Sequence, residues 1–272
     1  MELVVLDKIL AIIGAGVMGE ALLKGLISSQ ALNPESIIVS DTRESRRSEL
    51  QKVYGVKVAE SNQQAVKQAD VIILAVKPAG IDEVLDEITS VVTNRQILIS
   101  IAAGISTEHI LSRIGKKIPL VRVMPNSCAL VQQSTSVISV SAVASTEAKN
   151  LAAKIFSSLG EVIFLEEKYQ NEATALSGSG PAYFYLFAEA LIDAGVKAGL
   201  ARNISSKLVV GTLVGAGKML KETGKHPALL RDMVASPGGT TMAAVEAFEK
   251  AGFRAGVFQA VEAAIERARE LG

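Results

Sequence analysis

The chain has one cysteine, no tryptophan, two histidines and no surplus of either charge. A single cysteine rules out a disulfide framework and points to a reducing compartment. The 28 basic and 28 acidic residues cancel, with sixteen of each sign before residue 166 and twelve of each after it. Without a cationic surplus there is no general affinity for nucleic acid. Disorder is excluded as well, because 49% of the residues are hydrophobic and the net charge is zero. A chain of 272 residues buries a sizeable core unaided. The first seven residues do not form an export signal, since Asp7 interrupts the apolar run. Residues 123–146 carry no charge, but they hold Pro125, Asn126, Gln132, Gln133 and several serines, so they do not cross a membrane. These absences describe a soluble, cytoplasmic protein with no nucleic-acid or membrane partner.

What is present falls into two parts, placed at residues 1–165 and 166–272. The first alternates short β-branched runs with helical patterns. Strands are expected at Lys8–Ile13, Ser36–Ser40, Lys57–Val58, Val71–Val76, Ile97–Ile101, Pro119–Val123, Thr135–Val140 and Glu161–Phe164. Helices are expected at Met18–Ser29, Arg43–Tyr54, Asn62–Gln68, Gly80–Val91, Ser106–Ile114 and Ser145–Ser158. That alternation predicts right-handed βαβ units and a parallel sheet covered on both faces. In the second part the segments Gln170–Leu176, Pro181–Gly199, Ala201–Thr223, His226–Met233, Thr240–Ala251 and Gly252–Leu271 all suit helices. Pro181–Ala198 is apolar nearly all round and holds Tyr183, Phe184, Tyr185 and Phe187, so it must be buried in a core or against a partner chain. Gly211, Gly215 and Gly217 in the next helix suggest a close approach of two helix backbones.

The first chemical motif is Gly14-Ala15-Gly16-Val17-Met18-Gly19, placed directly between a strand and a helix. In that context Gly14 permits a tight turn, Gly16 admits a pyrophosphate against the backbone, and Gly19 lets helix and strand pack closely. This is the phosphate loop of a Rossmann dinucleotide-binding domain, with phosphates held on free N–H groups at the positive helix end. At the next strand end, Ser40-Asp41-Thr42-Arg43, two readings stand side by side. Asp41 suits a ribose 2′-hydroxyl and NAD, whereas Ser40, Thr42 and Arg43 suit a 2′-phosphate and NADP. Later strand ends, Ala75-Val76-Lys77-Pro78 and Ala102-Ala103-Gly104, extend the same crevice, and the small residues leave room for a nicotinamide ring. Lys77 suits a ribose-facing or structural role better than that of a catalytic acid.

Several catalytic devices are missing: a nucleophile elbow, a Ser/His/Asp spacing and an HExxH motif. Cys128, His109 and His226 form no ligand cluster in sequence, so no metal is expected, and Cys128 suits a small buried apolar position. His226 precedes Pro227 and suits a helix start. Chemistry then falls to a cofactor, with the protein supplying position and hydrogen bonds.

The helical part carries Leu176-Ser177-Gly178-Ser179-Gly180-Pro181-Ala182-Tyr183 and Asp232-Met233-Val234-Ala235-Ser236-Pro237-Gly238-Gly239-Thr240-Thr241. Each suits a Gly/Ser loop that opens a helix and offers N–H groups and hydroxyls to an anion such as a carboxylate. Together with Gly14–Gly19, Ala75–Pro78, Ile101–Gly104, Met124-Pro125-Asn126 and above all the run His226–Val234 into Ser236–Thr241, these segments resemble the pyrroline-5-carboxylate reductase family over essentially the full chain.

The resemblance implies an α/β fold, with an N-terminal Rossmann domain and a C-terminal all-helical dimerisation domain. It implies reduction of 1-pyrroline-5-carboxylate to L-proline by hydride from NADPH, the preferred donor, or NADH. It implies a homodimer through the helical domain that assembles further to a decamer. The substrate-holding residues it implies are Asn126, Ser236, Gly238, Gly239, Thr240 and Thr241, with Thr241 bonded to the ring nitrogen. Its cofactor contacts fall on Gly14, Ala15, Gly16, Val17, Met18, Gly19, Ser40, Asp41, Arg43, Asn62, Ala75, Val76, Lys77, Pro78, Ala102 and Ala103. Met233 departs from relatives that carry a polar residue there. The rival readings are a β-hydroxyacid dehydrogenase and a non-catalytic NAD(P) sensor. The first needs a Lys on the long helix, yet Pro181–Val196 has none.

Overall fold

The computed structural model describes residues 8–270. The expectations for Met1–Asp7, and for Leu271 as the end of the last helix, lie outside the described residues. The chain divides into two compact units. One runs through Ser179 and takes back the segment from Ala264; the other is Gly180–Ala263.

The first unit is built on an eight-stranded sheet in which the strands, counted along the chain, lie in the order third, second, first, fourth and then on in sequence to the eighth. Its elements alternate as β1 (Leu10–Ile13), α1 (Val17–Ser28), β2 (Ile37–Ser40), α2 (Glu44–Tyr54), β3 (Lys57–Ala59), α3 (Asn62–Gln68), β4 (Val71–Leu74), α4 (Ile81–Thr89), β5 (Ile97–Ser100), α5 (Thr107–Ile114) and β6 (Leu120–Met124). β1, β2, β4 and β5 are buried along their whole length. Period-two alternation sorts their side chains between two cores. Leu10, Ile12, Ile73 and Ile99 share one with Leu22, Leu26 and Phe156, while Ala11, Ile13, Ile72 and Leu74 share the other with Ile81, Leu85 and Ile110. Each fully buried Leu or Ile contributes about 1.5–3 kcal/mol relative to exposure, which is why these short strands need no polar face.

β1 pairs in parallel with both β2 and β4. The strand order therefore reverses at β1, and a crevice opens beyond its carboxyl end. The sheet is not wholly parallel. β7 (Ser134–Val140) runs antiparallel to β6, and β8 (Gly160–Phe164) runs parallel to β7. The reason is the connection. Only residues 125–133, including the 3-10 turn Ser127–Val131 and the left-handed Gln132, separate β6 from β7, too few for the helical crossover that a parallel partner needs. α6 (Thr146–Ser157) then returns the chain, and the edge strand β8 stays partly exposed.

The expected Gly/Ser loop at Leu176–Tyr183 is helical instead. α7 (Gln170–Ala173) continues into a π turn, Thr174–Gly178, and then into α8 (Gly180–Lys197). The Ser179 N–H donates to the Thr174 carbonyl at 2.8 Å, so this segment does not offer bare amides to an anion. Gly178 packs beside Met124, whose mobile Cε would lie 2.8 Å from a Cβ placed there.

The second unit contains α8, α9 (Arg202–Thr223), α10 (Pro227–Met233), α11 (Thr240–Lys250) and the greater part of α12 (Phe253–Glu270). The close approach of α8 and α9 falls on Gly195, where a Cβ would lie 2.2 Å from Ser205 Oγ. Gly211, Gly215 and Gly217 instead have nothing within 4 Å of such an atom in this chain. Phe187, Phe248 and Phe253 stack at tilted angles with centroids 5.5 to 6.0 Å apart. Most of α8 is uncovered, with Phe184 58% and Leu186 68% exposed. The helix is thus buried within the chain only in part, along α9 and at Phe187, and the rest of its apolar face is open. Among the described residues no helix is long and apolar enough to cross a membrane.

Candidate active site

The glycine loop does what its residue types require. Gly14 adopts φ +97°, and a Cβ on it would lie 2.8 Å from the Ala75 carbonyl carbon at the end of β4. A Cβ on Gly19 would lie 2.1 Å from the Gly14 carbonyl oxygen. Gly16, the residue before α1, has no protein atom within 4 Å of where its Cβ would be, so the space beside it is free. α1 starts without a side-chain cap, and the N–H groups of a helix's first turn have no partner inside the helix. An open face, unpaired amides and the positive helix end suit a pyrophosphate.

The end of β2 holds this loop in place. The Ser40 carbonyl accepts from Gly14 N–H at 2.8 Å. Asp41 Oδ2 accepts from Ala15 N–H at 2.9 Å, and Arg46 Nε donates to the Ala15 carbonyl at 2.9 Å. Arg46 also pairs with Glu49 at 2.8 Å and with Glu20, whose other oxygen accepts from Tyr54 at 2.9 Å. Arg46 lowers the Glu20 carboxyl below its ordinary range against the opposing effect of burial. At Asp41 burial opposes ionisation, but hydrogen bonds from Arg43 and from the Ala15 amide outweigh it and hold the carboxyl low.

Next to Asp41 lies a pocket of about 280 Å³ lined by Ser40, Asp41, Thr42, Glu60, Ser61, Asn62, Gln63 and Glu87. Ser40 Oγ donates to Asn62 Oδ1 at 2.8 Å, and Asn62 Nδ2 donates to Glu87 at 2.6 Å. Sequence reasoning named Ser40 and Asn62 but missed Glu87, which arrives from α4 and carries no local motif. At the next strand ends, Ala75 follows β4 and Lys77 opens the Pro78–Gly80 turn, while Ala102 is buried after β5.

Asn126 lies two residues beyond β6, at the start of the 3-10 turn, and is buried. Its Oδ1 accepts from Cys128 N–H at 3.1 Å and its Nδ2 donates to the Ser177 carbonyl at 3.0 Å, tying the strand end to the π turn. Cys128 is half-buried rather than enclosed.

In the second unit, His226 caps α10 by accepting from the Ala228 N–H at 3.2 Å. The turn that follows is shaped by Gly238 at φ +66° and by Gly239, where a Cβ would lie 2.3 Å from Ser236 Oγ. The Gly239 N–H is spent on the Ser236 carbonyl at 3.0 Å. α11 then starts at Thr240 without a side-chain cap. Thr241 Oγ1 donates back to the Val234 carbonyl at 3.0 Å, leaving its lone pairs free. Among the described residues no three His, Cys, Asp or Glu gather as metal ligands.

A glycine loop open to phosphate at the switch point of a doubly wound sheet defines a dinucleotide-binding fold of the oxidoreductase type. Residues 9–104 match the family described as NADP oxidoreductase coenzyme F420-dependent, and residues 167–271 match that described as pyrroline-5-carboxylate reductase dimerisation. The pyrroline-5-carboxylate reductase of Synechocystis sp. is 44% identical over 97% of this chain and 98% of its own. A solved pyrroline-5-carboxylate reductase from Coxiella burnetii superposes with a TM-score of 0.91 at 34% identity, covering 98% of this chain and 99% of that one. A pyrroline carboxylate reductase from Plasmodium falciparum, solved with NADP bound, gives 0.90 at 33% identity, again covering 98% and 99%. The chain belongs to the pyrroline-5-carboxylate reductase family.

Proposed function

We propose that the chain reduces 1-pyrroline-5-carboxylate to L-proline, the last step of proline biosynthesis, with NADPH as preferred donor and NADH as the alternative. Residues 1–165 hold the dinucleotide, and residues 166–272 serve dimerisation and substrate binding. A homodimer forms through the helical segment and assembles further to a decamer in the cytoplasm.

The observation that carries this reading is the turn from Val234 to Thr241. Its uncapped helix start suits a carboxylate, which Thr240 and Thr241 amides and the Ser236 and Thr240 hydroxyls hold, while Gly238 and Gly239 keep the turn clear of side chains. Asn126 keeps the β6 end in place from within.

The cofactor side fits a dinucleotide for the reason Gly16 gives: the space where a Cβ would stand is empty, and the helix start beyond it is uncapped. The glycine loop takes the pyrophosphate, Ser40, Arg43 and Asn62 take the adenosine end, and Ala75 to Pro78 with Ala102 and Ala103 take the nicotinamide side. When bound, the reduced dinucleotide supplies a hydride to the imine carbon.

The residues contribute position and one hydrogen bond. Because the Thr241 hydroxyl spends its proton on Val234, its lone pair accepts from the N–H of the protonated imine. That bond holds the substrate in its protonated, electrophilic form. The C=N electron pair moves to nitrogen on reduction, and the amine then takes a second proton from water. No strong acid is needed, so the main effect is orientation.

The deciding assay follows NAD(P)H oxidation by absorbance with 1-pyrroline-5-carboxylate, against NAD(P) reduction with hydroxyacids. Turnover on the imine is expected. Turnover only with hydroxyacids would overturn the reading, as would dinucleotide binding without turnover on either.

A further inference from the structure

The strand-end acid of a dinucleotide fold ordinarily accepts from a ribose hydroxyl, and the geometry here points elsewhere. We infer that Asp41 is a positioning residue for the pyrophosphate loop and for Arg43, and does not read the ribose. The inference rests on the cofactor reading above.

The hydrogen-bond capacity of Asp41 is already used. An ionised carboxylate has about four lone-pair sites. Asp41 receives Ala15 N–H at 2.9 Å and Arg43 Nη2 at 3.4 Å on Oδ2. It receives Arg43 N–H and Arg43 Nε, both at 3.0 Å, on Oδ1. Its side chain is only 9% exposed. The acceptor sites are filled, and a ribose hydroxyl must displace one of these donors to reach it.

What the four bonds accomplish differs by partner. The bond from Ala15 fixes the peptide between Gly14 and Ala15, and Arg46 fixes the carbonyl on the other side of the same residue. With Ser40 holding Gly14 N–H, three backbone groups of the loop are clamped by the end of β2 and the start of α2. The Ala15 amide is therefore not a phosphate donor. The donors left are those at the start of α1, and the clamp aims them. The bonds from Arg43 fix its guanidinium by one edge while the side chain remains 61% exposed, so its other N–H groups face solvent. Asp41 thus serves the pyrophosphate, which NADH and NADPH share, and presents a cation beside the position that distinguishes them.

The two roles separate experimentally. Dissociation constants for NADPH and NADH are measured by nucleotide fluorescence, without substrate, for the wild type, Asp41→Ala and Asp41→Asn. Amide hydrogen exchange at Ala15 is followed in the same proteins without nucleotide. A positioning role gives Asp41→Ala a roughly tenfold weaker Kd for NADH, an equal or larger loss for NADPH, whose 2′-phosphate also loses the held Arg43, and a deprotected Ala15 amide. Asp41→Asn, which keeps one oxygen for Ala15, falls between it and the wild type on both readouts. A loss confined to NADH, with NADPH unchanged or tighter, would overturn the inference and make Asp41 a ribose reader. An Ala15 amide equally protected in Asp41→Ala would overturn it too. Wild-type protein that bound neither nucleotide would instead defeat the cofactor reading, and the exchange result would still decide whether Asp41 holds the loop.

Discussion

The Thr241 hydroxyl donates to the Val234 carbonyl at 3.0 Å, a side-chain bond that spans the turn between α10 and α11 beside the Gly239–Ser236 backbone bond. The hydroxyl's bond sets which way the oxygen's lone pairs are free. If they accept from the substrate's ring N–H, Thr241→Ala removes an interaction worth about 1.4–3 kcal/mol and lowers kcat/KM by one to two orders of magnitude. Thr241→Ser keeps most of the activity. Steady-state kinetics of the two variants check this, and wild-type values in the alanine variant would take Thr241 out of the mechanism.

Two glycines of the phosphate loop separate folding from binding. A methyl on Gly19 meets the Gly14 backbone oxygen at 2.1 Å, and backbone cannot swing aside as a side-chain tip does. Gly19→Ala is expected to cost about 1–3 kcal/mol of stability. Gly16→Ala meets no protein atom, so it leaves the unfolding midpoint near that of the wild type while weakening dinucleotide binding. Thermal unfolding and a nucleotide titration on both variants test the contrast. Equal stability loss in the two would refute it.

Legibility in the sequence followed the range of the cause. β1, β2, β4 and β5 were readable because runs such as Val71–Leu74 are apolar throughout, as burial on both faces demands. The three roles of Gly14, Gly16 and Gly19 were readable because they are set within six residues. The antiparallel β7 was not, since its composition is that of any strand and only the short link through Gln132 decides direction. The π turn at Thr174–Gly178 looked like a loop because Ser and Gly suit both, and its Ser179 N–H bond to the Thr174 carbonyl follows from no local pattern. The fate of the Asp41 carboxylate depended on Ala15, 26 residues away, as well as on its near neighbour Arg43.

Acid should weaken the first unit through Glu20. Its carboxyl is lowered in the folded chain by Arg46 first, with Tyr54 adding a second bond against the effect of burial. A lowered acid contributes its full stabilisation above the unfolded pKa of about 4.3 and loses it as pH falls through the folded value. The urea midpoint should therefore decline from roughly pH 5 downwards. Glu20→Gln should flatten that decline while lowering stability near neutrality. An unchanged acid limb in the variant would place the sensitivity elsewhere.

The proposed preference for NADPH rests on Arg43. Its guanidinium is held by Asp41 at one edge and exposed at the other, so it suits a 2′-phosphate through charge-assisted bonds. Arg43→Ala should lower the NADPH to NADH ratio of kcat/KM by about tenfold, which is about 1.4 kcal/mol. A ratio that stays constant would assign the preference to Ser40, Thr42 or Asn62.

The uncovered apolar surface of the helical unit predicts the consequence of charging it. Phe258 is 71% exposed on α12 and Leu186 is 68% exposed on α8. Large exposed apolar patches mark association surfaces, and residues 167–271 match a dimerisation family. A charge placed in a buried interface without a partner costs several kcal/mol. Leu186→Glu and Phe258→Glu should each shift the light-scattering mass toward the 28.6 kDa monomer. Both variants should keep the circular dichroism of the folded first unit. An unchanged mass in both would mean that the chain pairs through a different surface of its helices.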